Sequence, residues 1–299
     1  MTERRPRLGV LAATGSATAF GVTIVVQRSL ARSGLPVATA LGIRFSVAAA
    51  ILLLYLALRR APLLPVRGER RWALLLGGIG YAGEAALFYA ALQRGTAGAV
   101  SLLFYAYPAI VTLLEVALRL RPPRLVAFAV VVLSTVGVVL IVVTGGSVSI
   151  SAGGVGYALG AATSFSVYLL LSQRLMRRSP AAAAGAHVAV GAALALLTAA
   201  VVTGMPHVNG HDAALLLANG AATAVAFALL YAALAHLAAG AAAVVMTLEA
   251  FVTVGLAALV LGEGIRPLQL VGGVFVVAAA VVVALGSRTR VVDPEIPVP

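Results

Sequence analysis

Cysteine is missing from the 299 residues, and charge is scarce: Asp, Glu, Lys and Arg make up 10% of the chain, with 9 acidic against 21 basic side chains. Without cysteine there are no disulfides and no thiolate metal sites, and the redox compartment is left undetermined. So little charge, beside 62% hydrophobic residues and a mean hydropathy of +1.08, excludes a soluble domain. Motifs that carry chemistry are missing too. No Ser, His and Asp spacing matches a hydrolase, no His/acid cluster has metal-ligand spacing, and there is no phosphate loop. Neither an enzyme, a metal or cofactor site, nor ATP-driven transport by this chain alone is expected. "GIGYAG" at 78–83 satisfies G-x-G-x-x-G, but it sits inside an apolar run with no strand before it, so the dinucleotide reading fails its context.

What the chain does have is apolar runs of about twenty residues, each able to span ~30 Å of hydrocarbon as a helix. Ten recur, over 8–30, 36–58, 72–92, 96–118, 125–144, 152–173, 181–203, 212–235, 238–261 and 267–286. No strand-like alternation accompanies them, so helices are the way to satisfy the backbone in lipid, and an all-α membrane protein is expected. The formal charge of +12 raises the question of nucleic acid, but every basic residue is Arg and most lie in short loops between spans. They report topology instead. With the N-terminus in the cytoplasm, that side receives the clusters around residues 4–7, 59–71, 119–124 and 174–178, whereas the other side receives Arg28, Arg32, Arg94 and Arg266. An even number of crossings with both termini cytoplasmic fits this bias.

The two halves resemble one another at a nearly constant offset. "ATAFGVT" at 17–23 matches "ATSFSVY" at 162–168, "YAAL" at 89–92 recurs at 231–234, and Pro36/Pro180 and Pro123/Pro267 open spans 144 residues apart. Each half holds five spans. An odd count forces the second copy to insert upside down, which predicts two inverted five-helix repeats, 1–146 and 147–290, around a central cavity that opens alternately to either side. The Pro-rich tail 291–299 reads as disordered.

Ionisable groups inside spans usually face the bundle interior, a partner or water. Glu249 is the only Asp, Glu, Lys or Arg between Asp212 and Glu263, near mid-bilayer, and its counterpart in the first repeat is Tyr107. It is the candidate for binding a substrate amine or exchanging a coupling proton. Arg44 and Glu84 lie at similar depth on adjacent spans. Two roles stay open for them: a buried ion pair that fixes packing, or substrate contact. His187, Tyr81, Tyr105, Tyr107, Tyr168, Phe20 and Phe251 complete the candidate cavity lining. Glu115 reads as a standard helix pair with Arg119 four residues on. Gly77/Gly80, Gly156/Gly160 and Gly272/Gly273 read as points of close helix approach.

Five stretches resemble the EamA family of the drug/metabolite transporter superfamily. They are Phe20-Gly21 (Trp-Gly in most members), "RFSVAAAILLL" at 44–54, "GTAGAVSLLFYAYPAIVTLLEVAL" at 95–118, "SFSVYLLLSQRL" at 164–175 and "AAGAAAVVMTLEAFVTVGLAALVLGE" at 238–263. The family's ninth-helix Glu-Pro is Glu249-Ala250 here. "FYAYP" at 104–108 is similar to an amino-acid exporter signature in which Tyr107 is Trp. The resemblance implies a ten-helix carrier in the bacterial inner membrane that exports small amphipathic metabolites, amino acids or related compounds, in contact with membrane lipid and without nucleic acid. Efflux of cationic drugs, or a membrane-embedded enzyme or scaffold, are the competing readings. Monomer and homodimer stay equally open.

Overall fold

The computed structural model describes residues 5–31, 34–95, 97–120, 122, 124–144, 150–175, 178–261 and 265–286. The tail at 291–299 lies outside them. The long apolar runs form ten helical rods, here α1 to α10, separated by short connections. Seven are continuous: α1 (Pro6–Ala31), α2 (Val37–Leu58), α5 (Leu125–Thr144), α6 (Ala152–Leu175), α7 (Ala181–Thr203), α8 (Gly210–His236) and α10 (Pro267–Gly286). Three are interrupted. α3 comprises Arg70–Leu75, a π-helical turn Leu76–Tyr81 and Ala82–Leu92; α4 comprises Ala97–Phe104 and Tyr107–Ala117; α9 comprises Ala239–Met246 and Leu248–Leu261. Among the described residues nine rods are long and apolar enough to cross a membrane, and the tenth has a shorter apolar stretch, Pro267–Val283.

Local chemistry sets the ends. Pro36 and Pro180 cap α2 and α7 in near-identical extended conformations, with φ −59° and −57°. Neither could donate a ladder hydrogen bond, and at a helix start none is required. α8 begins where the Asn209 side chain accepts from the Asp212 backbone N–H at 2.9 Å. α7 ends at Gly204, whose φ of +90° suits only glycine.

Hydrogen bonds near the ends fix the direction of each rod. The Arg5 N–H donates to His236 Nδ1, Gln173 bonds the α8–α9 junction, Glu115 accepts from Gly240, and Ser179 bonds both Glu69 and the Val66 N–H. One face, the terminal face, thus holds the start of α1, α3, α7 and α9 and the end of α4, α6 and α8. On the opposite face Gly95 pairs with Ile150 and the Ser151 N–H donates to the Arg94 carbonyl, joining the end of α3 to the start of α6. α1 and α6 therefore run in opposite directions, as an inverted repeat requires. The packing obeys the same symmetry: α1 lies on α8 as α6 lies on α3, while α2 lies on α7 and α5 on α10. The α5–α10 pair is peripheral, with Leu125, Val126, Val132 and Val274 each more than 60% exposed to the surroundings, as their nearly pure apolar sequences imply.

Without a solvophobic force between rods in lipid, close backbone approach and dense contact hold them together. At the α3–α7 contact a Cβ added to Gly77 would come 1.9 Å from the Val188 carbonyl oxygen, and one on Gly191 2.2 Å from the Leu74 oxygen. Gly137 and Gly272 do the same for α5–α10, at 2.6 and 2.5 Å from one another's carbonyl oxygens. Of the glycines expected at close contacts, Gly77, Gly272 and Gly273 are so placed; Gly80 and Gly160 make only ordinary contacts, and Gly156 faces open space. Replacing Gly77 by Ala is expected to cost about 1–3 kcal/mol through overpacking, and Gly156→Ala nothing. Unfolding in detergent measures both; equal stability of the two variants would contradict the α3–α7 contact.

Candidate functional site

The bundle encloses a cavity of about 420 Å³. Its lining comes from one end of the rods: Phe20, Ile24 and Leu30 on α1, Ala40, Arg44 and Phe45 on α2, Tyr81, Glu84 and Phe88 on α3, and Ser101, Phe104 and Tyr105 on α4. Leu30, Leu35 and Val37 border the α1–α2 connection, so the mouth lies on the face opposite the N-terminus. The second repeat supplies less of the wall: Phe165, Asn219, Met246 and Glu249.

All three interrupted rods meet the cavity at their breaks, α3 through Tyr81 at the end of its π-helical turn. In α4 the interruption falls at Tyr105–Ala106, before Pro108, which lacks a ladder N–H. In α9 it falls at Thr247, 142 residues after Tyr105, where the Thr247 N–H and hydroxyl both return to the Val244 carbonyl, at 3.1 and 2.7 Å. No proline is needed there, because the hydroxyl takes over a carbonyl that the next turn would have used. Tyr105 and Tyr107 flank the first break, and Met246 and Glu249 the second, all four on the cavity. Glu249 stands in the first turn of the distal half of α9, where unpaired N–H groups favour an acid.

Toward the terminal face the cavity is closed by successive layers. Tyr81 sits at the centre of the first, with ring centroids 5.1 Å from Phe45, 5.1 Å from Phe227 and 5.3 Å from Tyr168. Edge-to-face geometry prevails, as ring quadrupoles favour. Below the rings the Tyr231 hydroxyl lies 3.2 Å from both the Tyr168 hydroxyl and Ser172 Oγ. Beneath that is a polar clasp on the α8–α9 junction. Gln173 Nε2 donates to the Leu234 and Leu237 carbonyls, its Oε1 accepts from the Ala239 N–H at 3.3 Å, and Glu115 Oε1 accepts from the Gly240 N–H at 3.2 Å. Glu115 is 6% exposed. The pair with Arg119 expected from spacing is not made, because the helix ends at Leu118 and Arg119 turns out of it with φ +53°.

The charged groups occupy separate walls. The Arg44 Nε–H donates to the Thr223 hydroxyl, which donates in turn to the Asn219 carbonyl at 2.7 Å, and the guanidinium carbon lies 5.1 Å from the Phe45 ring centre. Glu84 and Glu249 are within Coulombic reach of Arg44. Among the described residues neither comes within the 4.0 Å that defines an ion pair, so the Arg44–Glu84 contact open from the sequence is not made in this state.

Seven of the ten candidate residues line the cavity: Glu249, Tyr81, Tyr105, Tyr107, Phe20, Arg44 and Glu84. Three do not. Tyr168 belongs to the hydroxyl layer under the floor, one helical turn beyond Phe165. Phe251 is two residues from Glu249, hence on the other side of the helix, and its ring packs on Gly273 of α10. His187 is buried on α7 with Nδ1 3.1 Å from the Ala183 carbonyl oxygen; α7 contributes nothing to the wall. Asn219 and Thr223 were not anticipated, since small polar residues in an apolar helix leave no pattern to read.

A model of the EamA-like transporter family matches residues 7–143 and again 152–285. The chain belongs to that family. This membrane transporter has no match among curated proteins. Among solved structures, 29 chains are similar. One crystal structure shares 16% identity and superposes with a TM-score of 0.79 over 95% of the transporter and 97% of its own chain, a likeness of fold.

A Cβ on Gly240 would lie 2.7 Å from Glu115 Oε2. Gly240→Ala is thus expected to displace the carboxylate and loosen the clasp, seen as about tenfold faster amide hydrogen exchange over residues 234–240. Unaltered exchange there would mean that Glu115 does not hold the junction.

Proposed function

We propose that this protein is a secondary carrier that exports small amphipathic metabolites, amino acids or related compounds, from the bacterial cytoplasm by alternating access. The observation that carries the proposal is the cavity itself. It ends blindly near mid-span, its walls are aromatic and aliphatic, and it presents one guanidinium and two carboxylates from different rods. A ligand with an apolar body and charged groups of both signs fits such walls, and about 420 Å³ falls within the usual range of roughly 300–1,000 Å³ for small-molecule pockets.

Orientation follows from charge. Among the described residues, Arg59, Arg60, Arg67, Arg70, Arg71, Arg119, Arg124, Arg174 and Arg178 border the terminal face, against Arg28, Arg94 and Arg266 on the other. The positive-inside rule assigns the terminal face and both termini to the cytoplasm, which makes this the outward-facing state. On this reading, release to the outside is the step that follows from this state. Inverted repeats supply the complementary state by rocking one half against the other, and broken helices at the midplane are where such carriers hold their cargo. Two carboxylates against one arginine, with many rings, also favour a second reading, efflux of organic cations.

Glu249 is the group best placed to exchange a proton or hold an amine, at a helix break and only partly buried. In proteoliposomes carrying a pH gradient, Glu249→Gln is expected to reduce substrate flux at least tenfold and to flatten its dependence on pH. Unchanged flux with an unchanged pH profile would remove Glu249 from the mechanism. Competition of organic cations with amino acids in the same vesicles separates the two substrate classes.

A further inference from the structure

Three charged side chains line the cavity, Arg44, Glu84 and Glu249, and the described residues neutralise none of them. The Arg44 guanidinium gives its Nε–H to Thr223, and its paired terminal nitrogens have no partner among those residues. Glu84 and Glu249 likewise have neither a hydrogen bond nor an ion pair there. Their charged atoms are not sealed in. The unpaired side-chain atoms that are shut off from all open space, Thr39 Oγ1, Asn219 Oδ1 and Thr253 Oγ1, belong to other residues. Because Arg44 is only 6% and Glu84 only 7% exposed, the space that their unpaired atoms reach is the cavity.

The three stand at two depths. Arg44 follows Val37, the mouth end of α2, by seven residues, and Glu84 precedes Leu92, the mouth end of α3, by eight, so both lie about 10–12 Å inward at the helical rise. Glu249 precedes Leu261, the mouth end of α9, by twelve residues, about 18 Å. A guanidinium and a carboxylate on different rods thus share the upper level, and a lone carboxylate sits about 6 Å deeper, at the break in α9. Rings line the cavity with them: Phe165 lies 5.5 Å from Phe104 and 6.4 Å from Tyr81 between ring centres. Charge balance then selects the ligand. A neutral zwitterion satisfies the upper level and leaves Glu249 uncompensated, whereas a simple organic cation leaves Arg44 uncompensated, and a desolvated charge without a partner is costly. One anionic and two cationic groups on one ligand match all three.

We propose that the cavity is a three-point site for an α-amino acid with a cationic side chain, in which Arg44 binds the carboxylate, Glu84 the α-ammonium and Glu249 the terminal cation. A lysine-like stem of four carbons covers roughly the difference in depth, and its methylenes lie against Tyr81, Phe104 and Phe165 while the charged head continues to Glu249. The proposal rests on the reading of the protein as a carrier of amphipathic metabolites and narrows its cargo to basic amino acids. Glu249 is then the group that tells them from neutral ones.

The test is equilibrium binding to the full chain in nanodiscs, with L-lysine and three probes that each lack one of its charges: L-norleucine without the side-chain ammonium, lysinamide without the carboxylate and Nα-acetyl-lysine without the α-ammonium. The wild type is expected to bind L-lysine about tenfold or more tighter than each, the scale of one hydrogen bond to a charged group. Each variant is expected to abolish one preference: Glu249→Gln that over norleucine, Arg44→Gln that over lysinamide, Glu84→Gln that over Nα-acetyl-lysine. Size-exclusion profiles identify a variant that has lost its fold, and the wild-type comparison, which needs no variant, then decides. Norleucine bound as tightly as lysine overturns the site and leaves a carrier of neutral zwitterions. Lysinamide bound as tightly overturns it in favour of an organic-cation carrier, and Nα-acetyl-lysine bound as tightly overturns it as well. So does a folded Glu249→Gln protein that keeps the full preference for lysine over norleucine. Failure of every probe to bind or be transported overturns the proposed function too.

Discussion

Hydrocarbon offers no hydrogen-bond partner, so a chain that crosses it can leave the helix only where protein or water-filled space replaces the missing contacts. That constraint organises this molecule. The backbone interruptions in α4 and α9 fall at Tyr105–Ala106 and at Thr247, related positions in the two repeats, and both adjoin the cavity. Side chains share the load: Thr247 closes one break with its own hydroxyl, and Tyr107 donates to the Ala243 carbonyl of the broken α9 at 3.2 Å. Tyr107 thereby both relieves the backbone and lines the cavity.

Inverted repeats make the two faces equivalent in principle, yet their side chains differ. The Glu115 carboxylate seals the α8–α9 junction through Gly240. At the repeat-related positions stand Ala257 and Gly98, a pair with no carboxylate to offer. The Glu115 contact thus has no carboxylate counterpart at the repeat-related position.

Much of the architecture was legible in the sequence because lipid imposes it on every residue of a span: length, hydropathy and the odd number of spans per half lead directly to two inverted quintets. The site was legible only in part. Arg44, Glu84 and Glu249 stand out because a charge in an apolar run is costly and so conspicuous. Whether a ring such as Phe20 or Phe251 meets the cavity depends on rotation about the helix axis, which neither hydropathy nor the repeat offset determines when the whole helix is apolar. Phe20 faces inward, whereas Phe251 fills the space over Gly273. The breaks leave no such mark, since losing one ladder bond changes no residue's hydropathy, and the partners of Arg44 and Gly240 come from rods distant in the chain.

The cavity opens on the side away from the N-terminus and is sealed beneath its aromatic floor. A chain without cysteine permits a direct measurement: single cysteines at Ser101, in the cavity wall, and Ser172, below the floor, labelled by a membrane-impermeant maleimide in right-side-out vesicles. The cysteine at 101 is expected to react from outside and to be protected by bound substrate, while that at 172 stays unreactive from that side. A cysteine at 101 that is inert, or reacts only in inverted vesicles, would contradict it.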